Sequence, residues 1–132
     1  MPWPLWSYDP GYYPPFPKVE VELRRVDELK QVSYLAYLDS GSDGTVIPYE
    51  LWRKMELSPF IYGFADVSSL GGPVERRPLY SILLRIKGFE DFTFATVDCR
   101  EDLHEILLGR DVLNSYRITL DGKRLEVEVS DP

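Results

Sequence analysis

The 132-residue sequence predicts an all-β fold, mainly β with two short helices, in a single domain. Several short segments alternate apolar and charged residues, as strands do when one face is buried. Turn-forming residues separate these segments, and only two short stretches have a helical pattern or length. The chain length suits one domain with a modest hydrophobic core.

The N-terminal segment, residues 1–17, differs in composition from the rest. It alternates proline with tryptophan, tyrosine and phenylalanine, which favours extended polyproline II structure over a packed helix. We interpret it as an arm that lies as an aromatic strap on a single domain spanning residues 18–132. A docking peptide for another protein is the alternative interpretation.

The first half of the domain predicts a hairpin followed by a helix. Lys18–Arg24 alternates apolar and charged residues, and Val32–Leu38 makes a second strand after a polar turn at Asp27–Lys30. Pro48–Met55 begins with proline and carries apolar residues at roughly helical spacing. Ser58-Pro59 then ends this helix.

The second half predicts five more strands and a second helix. The predicted strands are 79–86, 92–97, 106–108, 117–120 and 125–129. Gly109 breaks the third of them, and Arg110–Tyr116 has the length of a two-turn helix. The last two strands form a closing hairpin around Asp121–Lys123. An apolar strand followed by a loop therefore occurs twice, before Asp39 and before Gly109.

Composition excludes several function classes. There are 22 acidic and 15 basic residues, the formal net charge is −7, and the basic residues are scattered, so we expect no nucleic-acid partner. No segment is long and apolar enough to span a bilayer, so we expect no membrane partner. The single cysteine, Cys99, cannot form an internal disulfide, and the N-terminus lacks a secretory pattern. We therefore expect a cytoplasmic protein.

Asp39 stands at the end of an apolar strand, where apolar surroundings disfavour the charged form of a carboxyl group. Such an arrangement is common at functional sites. An aspartate before Ser40-Gly41 also caps an ordinary turn with its carboxylate. Both interpretations fit the three residues taken alone.

Two longer motifs resemble the signatures of the retroviral-type (retropepsin-like) aspartic protease family. The first motif is the loop Asp39-Ser40-Gly41-Ser42-Asp43-Gly44-Thr45. The second is Leu107-Leu108-Gly109-Arg110-Asp111-Val112-Leu113, an apolar segment, Gly-Arg-Asp and a short helix. The resemblance covers residues 18–129 and implies a retropepsin-like acid protease barrel with one lobe per chain.

The resemblance implies a homodimer in which Asp39 of each chain meets its mate at the two-fold axis. Two carboxylates that share a proton activate a water molecule to hydrolyse a peptide bond, without a metal or organic cofactor. Ser40 is implied to bond the partner loop, and Gly41 to allow close approach of a substrate chain.

The resemblance also assigns supporting roles around this loop. Ser42 and Thr45 belong to the loop itself, and Asp43 is expected to form an ion pair with Arg110. For Arg110, the alternative is an ordinary surface arginine at the start of a helix.

A substrate-covering flap is implied between the two motifs. We place it at Ser68–Pro73, with Leu70, Gly71 and Gly72 as the substrate-binding residues, because only this segment has a glycine-rich tip. A static hairpin turn fits the composition equally well. Glu75-Arg76-Arg77-Pro78, which follows, departs from the longer glycine-rich flap of the retroviral enzymes.

The leading hypothesis is therefore an aspartic endopeptidase that acts on an extended peptide or protein substrate. The alternative is a non-catalytic peptide-binding or dimerisation module on the same fold. Cys99 and His104 indicate a thiol or metal site only weakly, because their spacing specifies no catalytic pair or ligand array. Phe16-Pro17 also resembles a self-cleavage point, which gives the hypothesis that the arm is a removable pro-segment.

Overall fold

The computed structural model describes residues 3–68 and 71–130 as a β-barrel with two short helices. The strands are β1 Leu5–Ser7, β2 Lys18–Arg24, β3 Gln31–Leu38, β4 Thr45–Pro48, β5 Ile61–Val67, β6 Glu75–Ile86, β7 Thr93–Arg100, β8 Ile106–Leu108, β9 Arg117–Asp121 and β10 Glu126–Ser130. The helices are α1 Tyr49–Lys54 and α2 Arg110–Leu113. The predicted fold class, all-β with two short helices, is confirmed.

The barrel is closed by strands in the order β2-β3-β8-β4-β7-β6, since β6 also pairs with β2. The closing pairs run antiparallel from Val21 opposite Ile86 to Arg24 opposite Leu83. Strand β5 pairs with β6 only, so this hairpin extends beyond the closed part of the barrel. Closure removes most of the free strand edges at which sheets of different molecules pair.

Alternation along the strands explains the core. In β2, Val19, Val21 and Leu23 are fully buried, while the charged residues between them face outward. Strand β6 repeats the pattern with Ile82 and Leu84. Full burial of each such side chain contributes about 1.5–3 kcal/mol relative to exposure. The predicted β2–β3 hairpin is confirmed, with every residue of β2 paired to β3.

The arm was expected to have polyproline II structure, but part of it forms a β-strand. Leu5–Ser7 forms β1, which pairs antiparallel with β10 and gives a second sheet in the order β1-β10-β9. These three residues lie between Pro4 and Pro10, so their N–H groups are free to join a ladder. Trp6 packs against the barrel core at the same point.

The two helices differ in how well they were predicted. Helix α1 lies within the predicted Pro48–Met55 segment. Helix α2 ends at Leu113, three residues before the predicted end at Tyr116. Asn114 and Ser115 form a turn, because their short polar side chains favour turns over helix interiors. Among the described residues, no helix has the length and apolar character needed to cross a membrane.

Candidate active site

The two predicted motifs meet because β3 and β8 are parallel neighbours. Leu38 pairs with Leu108, so the loops that follow both strands leave the barrel at the same edge. The Asp39 N–H donates to the Leu108 carbonyl at 2.9 Å and extends the ladder by one residue. The apolar-strand-then-loop pattern of the sequence thus places Asp39 next to Gly109.

The two loops touch through glycine. A Cβ added to Gly109 would lie 2.3 Å from the Gly44 carbonyl oxygen, far closer than side chains approach backbone atoms. The neighbouring Arg110 N–H donates to the Ser42 carbonyl at 2.9 Å. Glycine is therefore required at Gly109 for close backbone packing, which fixes the Asp39 loop against the start of α2.

Buried Thr45 and exposed Asp111 form a polar network beneath the loop. The Thr45 side chain is 1% exposed, and its Oγ1 donates to Asp111 Oδ1 at 2.8 Å. The same Oγ1 accepts the Gly109 N–H at 3.1 Å, and the Thr45 N–H donates to Asp111 Oδ2 at 3.3 Å. Asp111 Oδ1 also accepts the Val112 N–H at 2.9 Å. This network joins the end of the loop to α2.

Arg110 holds the loop, but through a different partner from the one expected. Its Nη1 donates to the Ser40 carbonyl at 2.8 Å. Among the described residues no ion pair joins Arg110 to Asp43, so the expected pairing is wrong for the single chain, where Asp43 is exposed. The guanidinium reaches a backbone carbonyl because the tight turn after Asp39 points the Ser40 oxygen toward α2.

The Asp39 side chain is half-buried and makes a local turn. Its Oδ1 accepts the Gly41 N–H at 3.2 Å, and its carbonyl accepts the Ser42 N–H at 3.1 Å. Ser42 Oγ donates to the Gly44 carbonyl at 2.7 Å. The turn interpretation of this aspartate is therefore correct as a local description. Since no recorded hydrogen bond within the described residues involves Asp39 Oδ2, that oxygen stays available for chemistry.

The predicted flap lies at the tip of a β-hairpin. Strands β5 and β6 pair up to Val67 opposite Glu75, and the intervening segment contains Gly71 and Gly72. Gly71 has φ +75°, a left-handed conformation that favours glycine. The predicted flap residue Leu70 lies outside the described residues. The flap itself, and substrate binding by Gly71 and Gly72, stay predictions.

The competing thiol and metal interpretations gain no support. Burial, followed by the neighbouring Asp98 charge, raises the pKa of Cys99 to about 11, so this thiol is protonated near neutral pH and is a weak nucleophile. His104 offers its carbonyl oxygen to the Tyr34 hydroxyl at 3.1 Å. Within residues 3–68 and 71–130, no cluster of three or more His, Cys, Asp or Glu side chains is suited to a metal ion.

Sequence reasoning assigned no role to two groups that the structure brings to this region. Asp111 was part of the second motif, and its position after Gly-Arg at a helix start was the available signal. The second is Tyr37, which lies two residues before Asp39 and is contacted by the arm. Tyr37 is buried although it alternates with core residues, and only the distant arm explains this burial.

Comparisons with known proteins agree with this architecture. Neither a protein-family model nor a curated protein sequence matches the chain. A solved retropepsin-like aspartic protease from Rickettsia conorii is 12% identical, with a TM-score of 0.61 over 96% of this chain and 90% of that chain.

Two further solved structures have the same architecture. The retroviral protease-like domain of Ddi1 from Leishmania major is 15% identical, with a TM-score of 0.50 over 84% of this chain and 92% of that domain. The foamy viral protease-reverse transcriptase, solved with an RNA/DNA hybrid, is 16% identical, with a TM-score of 0.54 over 76% of this chain. This chain spans 12% of the foamy viral chain. The barrel, its connectivity and these three likenesses establish that the chain has the retropepsin-like fold.

Proposed function

We propose that the protein is an aspartic endopeptidase that acts as a homodimer and hydrolyses peptide bonds with water activated by Asp39. The observation that carries the proposal is the setting of Asp39. It begins a loop that is clamped to α2 by Arg110, Gly109 and Asp111, on a retropepsin-like fold. Within the described part of the chain, only one of its carboxylate oxygens accepts a hydrogen bond.

One carboxyl group supplies half of the chemistry. In the proposed dimer, Asp39 and Asp39 of the partner subunit share one proton. The charged carboxylate takes a proton from the attacking water, and the protonated carboxyl gives its proton to the carbonyl oxygen of the scissile bond. The two groups titrate as a coupled pair, because two carboxylates in contact do not both ionise easily. The mechanism uses no metal or organic cofactor.

The surroundings of Asp39 support association through a two-fold axis. Ser40 and Gly41 are exposed beside it, so the loop is accessible to a second copy of itself. An isologous contact brings both loops together automatically. The β5–β6 hairpin is proposed to cover an extended peptide lying across the two loops. A cytoplasmic location is part of the proposal, because the single cysteine, Cys99, is unpaired.

The test is cleavage of a diverse peptide mixture, followed by mass spectrometry between about pH 3 and pH 7, where carboxyl dyads titrate. We expect cleavage by the wild-type protein and a loss of at least about 10²-fold in Asp39→Asn, the size of a general acid–base contribution. Asn is nearly isosteric with Asp and still accepts the Gly41 N–H. Sedimentation velocity on both proteins checks that the dimer persists.

Equal cleavage by wild type and Asp39→Asn contradicts the proposed mechanism, because the activity then comes from elsewhere. A wild-type dimer that binds peptides without cleaving them contradicts the enzyme proposal and supports a peptide-binding module. Asp91→Asn is a matched control, since it removes the same charge from an exposed position outside both motifs.

A further inference from the structure

The arm contains a closed loop, residues 9–16, which we name the aromatic loop. Asp9 and Phe16 exchange backbone hydrogen bonds of 2.7 and 3.1 Å across its base. Tyr12 and Phe16 pack edge-on against the Tyr37 ring, with centroids 5.3 and 5.1 Å away. The Tyr37 hydroxyl donates to Asp9 Oδ2, and Tyr37 is 5% exposed. The aromatic loop is therefore a built part of the fold.

This loop lies beside Asp39. Tyr37 precedes Asp39 by two residues, so their Cα atoms lie about 7 Å apart where the chain is extended. The Leu38 N–H between them donates to the Pro17 carbonyl at 3.2 Å, which ties the end of the arm to the same strand. The aromatic loop covers Tyr37 near the end of β3, while Leu35 on the same face is 47% exposed.

The chemistry of the exposed surface is acidic and aromatic. The Tyr12 hydroxyl donates to Glu105 Oε1 at 2.6 Å, which joins the aromatic loop to the segment before β8. Tyr12 is 41% exposed and Tyr13 is 100% exposed. Both carboxylate oxygens of Asp9 accept hydrogen bonds, one from the Tyr37 hydroxyl and one from the Gly11 N–H. Glu105 uses Oε1 for Tyr12, and no hydrogen bond to its Oε2 is recorded among the described residues.

We propose that the aromatic loop is a substrate-recognition wall beside Asp39, which binds an arginine or lysine side chain of an extended peptide through Tyr12, Tyr13 and Glu105. The inference rests on the proposed function and names a substrate class for it. Tyrosine faces attract cations, and a free carboxylate oxygen pairs with a guanidinium or ammonium group. An apolar side chain would gain ring contacts only.

The charge of the whole chain favours the same substrate. The formal net charge is −7, and the aromatic loop and its contacts include the carboxylates of Asp9 and Glu105. A negatively charged surface attracts positively charged peptides and speeds their association. Tyr12 and Tyr13 belong to the arm, outside the two protease-like motifs, so this part of the wall comes from the chain's own N-terminal segment.

The test uses peptide libraries in which each position in turn is Arg, Lys, Leu, Phe or Glu. We expect one position at which wild type prefers Arg or Lys over Leu in kcat/KM. In Glu105→Gln, which still accepts the Tyr12 hydroxyl, this preference falls roughly three- to fivefold, the size of one partly exposed ion pair. Tyr13→Ala lowers the same preference roughly two- to fivefold through loss of a cation–π contact.

The control is Glu101→Gln, which removes an equal charge from an exposed position nearby. Equal effects of Glu101→Gln and Glu105→Gln overturn the proposal, because the selectivity then reflects net charge alone. A wild-type preference for Leu or Phe at every position also overturns it.

A second measurement separates this inference from the catalytic proposal. Fluorescence anisotropy follows binding of the Arg and Leu library peptides to Asp39→Asn and to the double variant with Glu105→Gln. Tighter Arg binding that depends on Glu105 supports the wall even where wild type cleaves nothing. Equal binding of Arg and Leu peptides overturns the wall, even where Asp39→Asn abolishes cleavage and so supports the catalytic proposal.

Discussion

Thr45→Val tests how much the hydroxyl of Thr45 contributes to the network that holds the Asp39 loop. Valine keeps the shape of threonine but removes Oγ1, which donates to Asp111 and accepts the Gly109 N–H. Losing a hydrogen bond to a charged group costs about 1.5–3 kcal/mol, and a buried N–H without an acceptor costs about 1–3 kcal/mol. Asp111 keeps its bonds to the Thr45 and Val112 N–H groups, so we expect a total loss of about 3 kcal/mol.

The assay is urea unfolding followed by fluorescence of the three tryptophans, at one fixed protein concentration because association contributes to stability. The matched control is Thr45→Ser, which keeps the hydroxyl and loses one methyl group, for about 1 kcal/mol. A loss in Thr45→Val no larger than in Thr45→Ser refutes the reasoning, because the hydroxyl then contributes nothing measurable.

Two further predictions concern the loop contact and the arm. Gly109→Ala places a Cβ 2.3 Å from the Gly44 carbonyl oxygen, so we expect a loss of about 3 kcal/mol in the same urea assay, and a loss below about 0.5 kcal/mol contradicts the contact. The Tyr37 bond, with help from the Gly11 N–H, holds the pKa of Asp9 below its ordinary 3.8, so its stabilisation is present above pH 3.8 and declines as pH falls through the lowered value. Protection of residues 9–16 from hydrogen exchange, relative to the intrinsic exchange rate at each pH, should fall over that acidic range in wild type but not in Asp9→Asn. Identical pH profiles contradict a role for the Asp9–Tyr37 bond.

The strands and hairpin whose burial follows from the alternation of apolar and charged residues were predicted from the sequence. Alternation over Lys18–Arg24 and Val32–Leu38 determines which face of each strand is buried, so both strands and their hairpin were found. The sequence linked the two motifs only through the resemblance, which implied that the Asp39 loop is fastened to the helix that begins at Arg110. Parallel pairing of β3 and β8 then brings their carboxyl ends to one edge.

Features that depend on distant segments were not predicted. Leu5 pairs with Glu128, and no pattern within residues 1–17 specifies that partner. Tyr37 is buried because the aromatic loop covers it, and no pattern within Val32–Leu38 indicates this contact. The partner of Arg110 was wrong for a similar reason. Side-chain reach and the direction of a turn decide between Asp43 and the Ser40 carbonyl, and neither is encoded in the spacing of the motif.

The network around Thr45 has a consequence for the proposed dimer. Association normally pays for ordering of the loops that enter the interface. Here Arg110, Gly109 and Asp111 order the Asp39 loop within one chain. The entropy of ordering this loop is therefore lost on folding and not on association. The opposing term is electrostatic, because each chain carries a formal charge of −7 and like charges repel at the shared site. We therefore expect the proposed dimer to tighten as salt screens this repulsion, while the geometry of each half-site is set by the single chain.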